Sequence, residues 1–294
     1  MRVAHVRERH SPAGSPWRLA AAHDPGESPA RWLDLETARR RSVAADPRLA
    51  HNATLFRQPV TTLDDLLGRS LRIEALRELV EGFAPRETDD DAVLRASDLV
   101  FGPPVLRPPS VRDFYAFERH VKTMWERRGG EVPETWYRLP IFYFSNVSEI
   151  RGPSDPVWSP AASRELDYEL EVAALVDTPA VDLAPERAEE AIGGFTIFND
   201  WSARDLQREE TVVRLGPAKG KDFASSFGPY LVTPDELADA RMGTGYDLGM
   251  TAQVNGSETS RGRWSDAQFS FGDMLARASA DARLRPGDLI GSGT

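Results

Sequence analysis

The stretch FTIFNDWSARDLQ, Phe195 to Gln207, ends an apolar run on Asn199, Asp200, Arg204, Asp205 and Gln207. A strand that exits into Asn, Asp and Ser is commonly one that meets a polar turn. Strand ends are also where a rigid scaffold presents reactive side chains. A second acidic stretch is LDYELEV, Leu166 to Val172. Alternate residues of a strand share a face, so Asp167, Glu169 and Glu171 point one way and Leu166, Tyr168, Leu170 and Val172 the other. Two readings stay open. The acidic side faces water, as on a half-solvated strand, or the carboxylates, about 7 Å apart along the strand, are held by a positive charge between them. A hard divalent cation such as Mg²⁺ or Ca²⁺ chooses carboxylate oxygens and would serve.

Of five histidines, His5, His10, His23 and His51 precede residue 100 and only His120 follows it. A metal in the later part of the chain would therefore take oxygen ligands, which favours Mg²⁺, Mn²⁺ or Ca²⁺ over Zn²⁺. His120 lies seven residues after Asp113 in what reads as one helix, about two turns and roughly 10 Å along its axis. Asp113 could reach a metal, and His120 a water or substrate beyond it, where a pKa near 6.5 suits a general base. The plainer alternative is a solvated histidine on a helix face. GPAKGKDFASSFGP, Gly216 to Pro229, invites comparison with a phosphate-binding loop, but Asp222 follows the lysine and the G-x-x-x-x-G-K-[ST] spacing fails. Lys221 remains as a surface residue or a fixed positive charge. Asp113, Glu169, Glu171 and Asp200 against Lys221, Arg204 and one divalent cation would make a neutral buried site, as burial of charge demands.

These residues need elements to carry them. From Leu63 to Glu81 the apolar residues follow a 3.6 period and predict a helix, whereas RWLDLETA reads as strand-like. The proline-rich FGPPVLRPPS, Phe101 to Ser110, suits an extended linker. The expected organisation is therefore a small N-terminal α/β domain over residues 1–105 and a second domain over 106–294. Ser110 can cap a helix VRDFYAFERHVKTMWERRG that stops at Gly129 and Gly130. Beyond it the chain reads mostly β, with helices at Pro185–Ala191 and near Phe271–Ala278. The chain has 294 residues, 40% of them apolar, enough for a substantial core, and no cysteine, which excludes disulfides and thiolate chemistry. With 46 acidic against 36 basic residues the net charge is −10, which argues against a nucleic-acid surface. No stretch approaches the roughly 20 apolar residues of a membrane span, and a cytoplasmic protein is expected.

Taken in order, RDFYAFERH, LDYELEV, FNDWSARDLQ and KGKDFASSFGP resemble the fumarylacetoacetate hydrolase (fumarylacetoacetase) superfamily, over roughly Arg107 to Thr294. The resemblance implies an α+β fold whose catalytic domain is a mixed, rolled β-sheet, with Mg²⁺, Ca²⁺ or Mn²⁺ as cofactor. It makes Asp113, Glu169, Glu171 and Asp200 the metal carboxylates and His120 the water-activating histidine. Arg204, Gln207 and Lys221 match groups that stabilise an oxyanion. Tyr115, Arg128 and Tyr143 match substrate-side positions, and Thr294 a substrate-binding threonine. The family continues into further strands past the position of Thr294, one of which supplies a glutamate that pairs with the histidine. The chain is thus expected to lack C-terminal strands, with Glu118 a candidate substitute. The expected activity is metal-dependent cleavage of a C–C bond in a β-diketo acid, of the fumarylacetoacetate or acylpyruvate kind. A 2-oxo acid hydratase, decarboxylase or isomerase of aromatic catabolism, or a non-catalytic metal-binding module, are the alternatives. The expected partners are a small dicarboxylate or β-diketo acid and a second copy of the chain in a homodimer, with no nucleic acid and no membrane.

Overall fold

The computed structural model describes residues 1–294 except 13, 25, 27, 84–89 and 128, and the side chain of Asn52. Its centre is a mixed sheet of 13 strands. Starting from one edge, the strands run Val93–Arg95, Arg31–Asp34, Arg18–Ala22, Arg2–Glu8, Leu231–Val232, Ile192–Asp200, Leu170–Val176, Leu289–Gly291, Val111–Phe114 and Phe142–Ser145. Ser225–Phe227, Leu99–Phe101 and Ile150–Arg151 attach off this path. Pairings are antiparallel except Leu289–Gly291 with Val111–Phe114 and Ser225–Phe227 with Ile150–Arg151. Among the described residues the path has two ends, so the sheet does not close into a barrel. The fold is mixed α+β. Strands before and after the 105/106 boundary hydrogen-bond within the same sheet, through Arg2–Glu8 and Leu231–Val232. No helix of the described residues is long and apolar enough to cross a membrane.

Two apolar layers clamp this sheet. Ala173 and Leu175 join Val111, Phe198, Phe227 and Leu289 in the layer shared with the N-terminal helices. Val172, Ala174 and Val176 join Phe195, Phe271, Leu275 and Ile290 on the other face. The period-2 alternation of one strand thus feeds both layers. Helix Phe271–Ser279 sits in the second layer, started by a capping box in which the Ser270 hydroxyl accepts from the Asp273 N–H and the Asp273 carboxylate from that of Ser270.

Four expectations from local pattern need correction. RWLDLETA is strand only as far as Asp34, whose Oδ1 accepts from the Thr37 N–H at 2.6 Å and caps a helix Leu35–Ala45. The helix expected over Leu63–Glu81 is broken into Leu63–Gly68, a 3₁₀ turn Ile73–Leu76 and Arg77–Glu81, with Ser70 left-handed at φ 57° in the gap. Ser110 caps no helix. Val111–Phe114 is a fully buried strand, and the helix begins only at Glu118 and runs to Arg127. Finally, LDYELEV is two strands, Leu166–Asp167 and Leu170–Val176, with Tyr168 and Glu169 between them.

Candidate active site

Asp113, Asp200 and Glu171 lie at the ends of strands that are close together in the sheet, and each shares a face with an apolar neighbour of the first core layer. Asp113 follows Val111, Asp200 follows Phe198, and Glu171 precedes Ala173. Between the strands of Glu171 and Asp113 runs Leu289–Gly291, with Gly291 opposite both Ala173 and Asp113. Glycine is required there, because a Cβ would stand 2.6 Å from Asp113 Oδ1 and 2.8 Å from the Phe198 ring. Across the next register Tyr143 faces Asp113. The carboxylate floor of the site is therefore the polar end of the hydrophobic core.

Glu169 joins this floor from the gap between its two strands, its N–H donating to Asn199 Oδ1 at 3.1 Å. One carboxylate oxygen from each of Asp113, Glu169, Glu171 and Asp200 lies within 4.8 Å of the others, and all four residues are buried. Asp167 is half-exposed, so the acidic side of LDYELEV is divided, with Glu169 and Glu171 inward.

Lys221 Nζ donates to Glu169 Oε2 and to Asp200 Oδ2, each at 2.6 Å. Arg204 Nη1 donates to Glu169 Oε1 at 2.6 Å and to Gln207 Oε1 at 3.1 Å, and its Nε to Asp167 Oδ2 at 2.8 Å. Arg204 and Gln207 sit one turn apart on helix Arg204–Thr211, immediately after the Asp200 strand. Tyr143 donates to Asp113 Oδ2 at 3.1 Å and contacts Asp200 Oδ2. The Gly293 N–H donates to Glu171 Oε2 at 2.9 Å.

The electrostatics follow from these partners. Burial would raise Glu169, but Lys221 and Arg204 outweigh it and hold its carboxyl down to about 2. Among the described residues no cation hydrogen-bonds Asp113 or Glu171, and burial followed by the neighbouring carboxylates pushes both well above the usual range. Burial also raises Asp200, although Lys221 opposes it. Lys221 in turn is kept charged: burial lowers it, but Asp200 and Glu169 more than compensate and raise it. Among the described residues, four carboxylates thus face two side-chain cations, Lys221 and Arg204. Asp113 Oδ1, Glu171 Oε1 and Asp200 Oδ1 are buried without a hydrogen-bond partner, a state that costs free energy unless something positive meets them. An all-oxygen donor set with orphaned lone pairs fits a hard divalent cation.

A cavity of about 340 Å³ opens over this floor, lined by Tyr115, His120, Tyr143, Glu169, Arg204, Gln207, Lys221 and Thr294 among others. The structure thus gathers eleven of the twelve predicted residues; Arg128 lies outside the described residues. Asp113 and His120 are not on one helix, as their spacing suggested. Asp113 is on a strand, and residues 115–117 turn the chain so that His120, on the first turn of the following helix, hangs over the cavity beside Tyr115 at 5.6 Å between ring centroids. Burial holds the His120 imidazole below its usual range. Glu118 does not substitute as its partner, because its carboxylate faces solvent, accepts from Tyr137 at 2.8 Å and pairs with Lys122 at 2.9 Å. Thr294 Oγ1 donates to the Leu170 carbonyl at 3.1 Å. Sequence reasoning passed over Gly291 and the Gly293 amide, although two glycines around a serine after an apolar run signal close backbone approach.

Comparison with known proteins bears on the family and the fold. A family model described as the C-terminal region of fumarylacetoacetate (FAA) hydrolase matches residues 110–294. Fumarylacetoacetase of Arabidopsis thaliana is 28% identical over 303 residues, covering 85% of this chain and 71% of that protein. A mitochondrial oxaloacetate tautomerase of Xenopus laevis is 32% identical over 155 residues, 53% of this chain and 47% of that protein. Among solved structures, maleylpyruvate hydrolase from Sphingobium sp. SYK-6, in complex with manganese(II) and pyruvate, superposes with a TM-score of 0.66 at 21% identity. That match covers 100% of this chain and 88% of the other, and it bears on the fold.

Proposed function

The chain belongs to the fumarylacetoacetate hydrolase family, and from that premise we propose that it is a divalent-metal-dependent hydrolase that cleaves a C–C bond in a β-diketo acid of the acylpyruvate or fumarylacetoacetate kind. The observation that carries the reading is the trio of buried carboxylate oxygens with no partner, on a floor that opens into the cavity beneath His120. Asp113, Glu169, Glu171 and Asp200 would hold the ion, Mg²⁺, Mn²⁺ or Ca²⁺. When bound, such an ion supplies Lewis-acid stabilisation of enolate charge. The presence of manganese and pyruvate in the Sphingobium hydrolase supports this chemistry by analogy.

The protein's own groups supply the rest. His120, neutral because it is buried, takes a proton from water, whose oxygen attacks the carbonyl carbon. The C–C bond then breaks, its electron pair passing to the departing enolate, which is later protonated. Lys221 spends two of its three N–H donors on Glu169 and Asp200, which leaves one for the developing oxyanion. Gln207 accepts from Arg204 through Oε1, which turns its amide N–H₂ away from Arg204 as a further donor. Tyr115, Tyr143, Arg128 and Thr294 are proposed on the substrate side, and the protein is proposed to act as a homodimer.

Replacing His120 with Ala tests the assignment. kcat should fall by about 10²- to 10⁴-fold, the usual contribution of a positioned base, with divalent-ion affinity unchanged. Full activity in His120→Ala would contradict it. Proton transfer without cleavage, as in a tautomerase, is the second reading. It is favoured by the likeness to the oxaloacetate tautomerase of Xenopus laevis, 32% identical over 155 residues.

A further inference from the structure

We propose that Glu210 is a positioning residue for Lys221, its carboxylate holding the turn that delivers the ammonium into the site. The proposal rests on the reading of Lys221 as an oxyanion-stabilising cation. Glu210 lies on helix Arg204–Thr211, three residues after Gln207 and six after Arg204. Its Oε2 accepts from the backbone N–H groups of Ala218 at 3.0 Å and Gly220 at 3.1 Å, and its Oε1 from that of Lys219 at 2.6 Å. Three successive residues thus aim their amides at one carboxylate, a concave donor set suited to an anion. Such charge-assisted bonds are roughly twice as strong as neutral ones. The carboxyl is accordingly held below its usual range, the three amides outweighing burial.

The turn is closed on itself by the N–H groups of Lys221 and Asp222, both donating to the Ala218 carbonyl, at 3.1 and 3.0 Å. Ala203 N–H donates to the Gly220 carbonyl at 2.8 Å, and a Cβ on Gly220 would stand 2.8 Å from the Gln207 backbone nitrogen. The turn therefore lies against the helix that bears Arg204 and Gln207, and the next residue is the buried Lys221. Residues 212–216, 218 and 219 are exposed. Apolar packing therefore does little to place the turn, and the polar clasp does most of it. One helix presents two site residues on its first turns and, with Glu210, sets the position of a third.

The test combines Glu210→Gln, Lys221→Ala and the double variant, assayed with the β-diketo acid that the wild type hydrolyses in saturating Mg²⁺, with backbone hydrogen exchange on each folded protein. Glu210→Gln should lower kcat between about 10- and 10²-fold, the scale of a misplaced catalytic group, with KM within about twofold. In the Lys221→Ala background it should cost nothing more, since both changes disable one unit. Exchange at the 218–220 amides should quicken in Glu210→Gln. Glu209→Gln, on an exposed neighbour, should change neither quantity. If Glu210→Gln does not accumulate as folded protein, Glu210→Asp, which keeps the charge and withdraws the carboxylate by one methylene, should show the same pattern. A kcat loss that adds to that of Lys221→Ala, or an unchanged kcat in Glu210→Gln beside a large loss in Lys221→Ala, would overturn the positioning role. An unchanged kcat in Lys221→Ala would instead strike the reading of Lys221 itself.

Discussion

Among the described residues no cation pairs with the buried carboxylates Asp113 and Glu171, and the pH dependence of the protein should show it. In the metal-free protein their folded-state pKa values are raised by burial first, and then by the Asp200 carboxylate for Asp113 and by the Asp113 carboxylate for Glu171. Their contribution to stability is therefore present at acid pH and lost as pH rises from the unfolded carboxylate range through the raised values. Glu169, held down to about 2, has the opposite sign: it stabilises above the unfolded carboxylate range, and that contribution is lost as pH falls toward 2. A divalent ion needs the ionised carboxylates and should relieve the penalty at neutral pH and above. We expect Mg²⁺ or Mn²⁺ to raise the Tm more at pH 8 than at pH 5, and Glu171→Gln to abolish most of the rise. Calorimetry with and without chelator checks this, and an equal shift at both pH values would contradict it. His120 makes a second residue-scale prediction. Burial lowers its pKa, so its neutral, proton-accepting form survives to more acid pH, and the acid limb of the kcat/KM profile should lie below the ordinary histidine value. A limb above that value would show that another group controls it.

Strands bring these residues together, and Gly291 is a tight constraint among them, its position leaving no room for a Cβ beside Asp113. Alanine there would crowd Asp113 Oδ1 and the Phe198 ring at once. Overpacking of this kind costs about 1–3 kcal/mol. Gly291→Ala should therefore lower the Tm and, by displacing Asp113, weaken divalent-ion binding more than its stability loss explains; titration calorimetry on the folded variant reads the second effect. The same strands show what could be read from sequence. The run Phe195–Asn199 and the polar exit at Asp200, Arg204 and Gln207 were legible, because strand alternation and the i, i+3 spacing of the next helix are local properties. Val111–Phe114 was not. Its residues suit either a helix start or a strand, and the choice falls to the parallel pairing with Leu289–Gly291, nearly 180 residues away in sequence. That one misreading placed Asp113 and His120 two helical turns apart, although both residues belong to the same cavity. Glu210 carried no sequence signal at all, since a glutamate in REET reads as an ordinary solvated helix face.

At the scale of the whole molecule, one sheet spans the proline-rich connector, and one apolar layer contains both Val3 and Leu289. His5 and Asp64 fasten that connector further. The His5 ring bonds the Pro103 carbonyl at 2.8 Å and accepts from the Leu63 N–H at 2.9 Å, and the Asp64 carboxylate accepts from the N–H groups of Leu106 and Arg107 at 3.0 and 2.8 Å. Segments 1–105 and 106–294 should therefore unfold together, in a single calorimetric transition that shifts as a unit with Mg²⁺; two separate transitions would show that they are independent. Ile197, exposed on an interior strand, and Phe144 offer apolar surface for the proposed homodimer, which sedimentation velocity checks directly. The claim on which the rest depends is hydrolysis. Incubation of the protein with a panel of acylpyruvates in H₂¹⁸O, with Mg²⁺ and with chelator, followed by mass spectrometry of the products, tests it most directly. We expect two fragments, one a carboxylate that carries a single ¹⁸O from the attacking water, formed only when the divalent ion is present. An isomerised or tautomerised substrate of unchanged carbon skeleton would contradict the account.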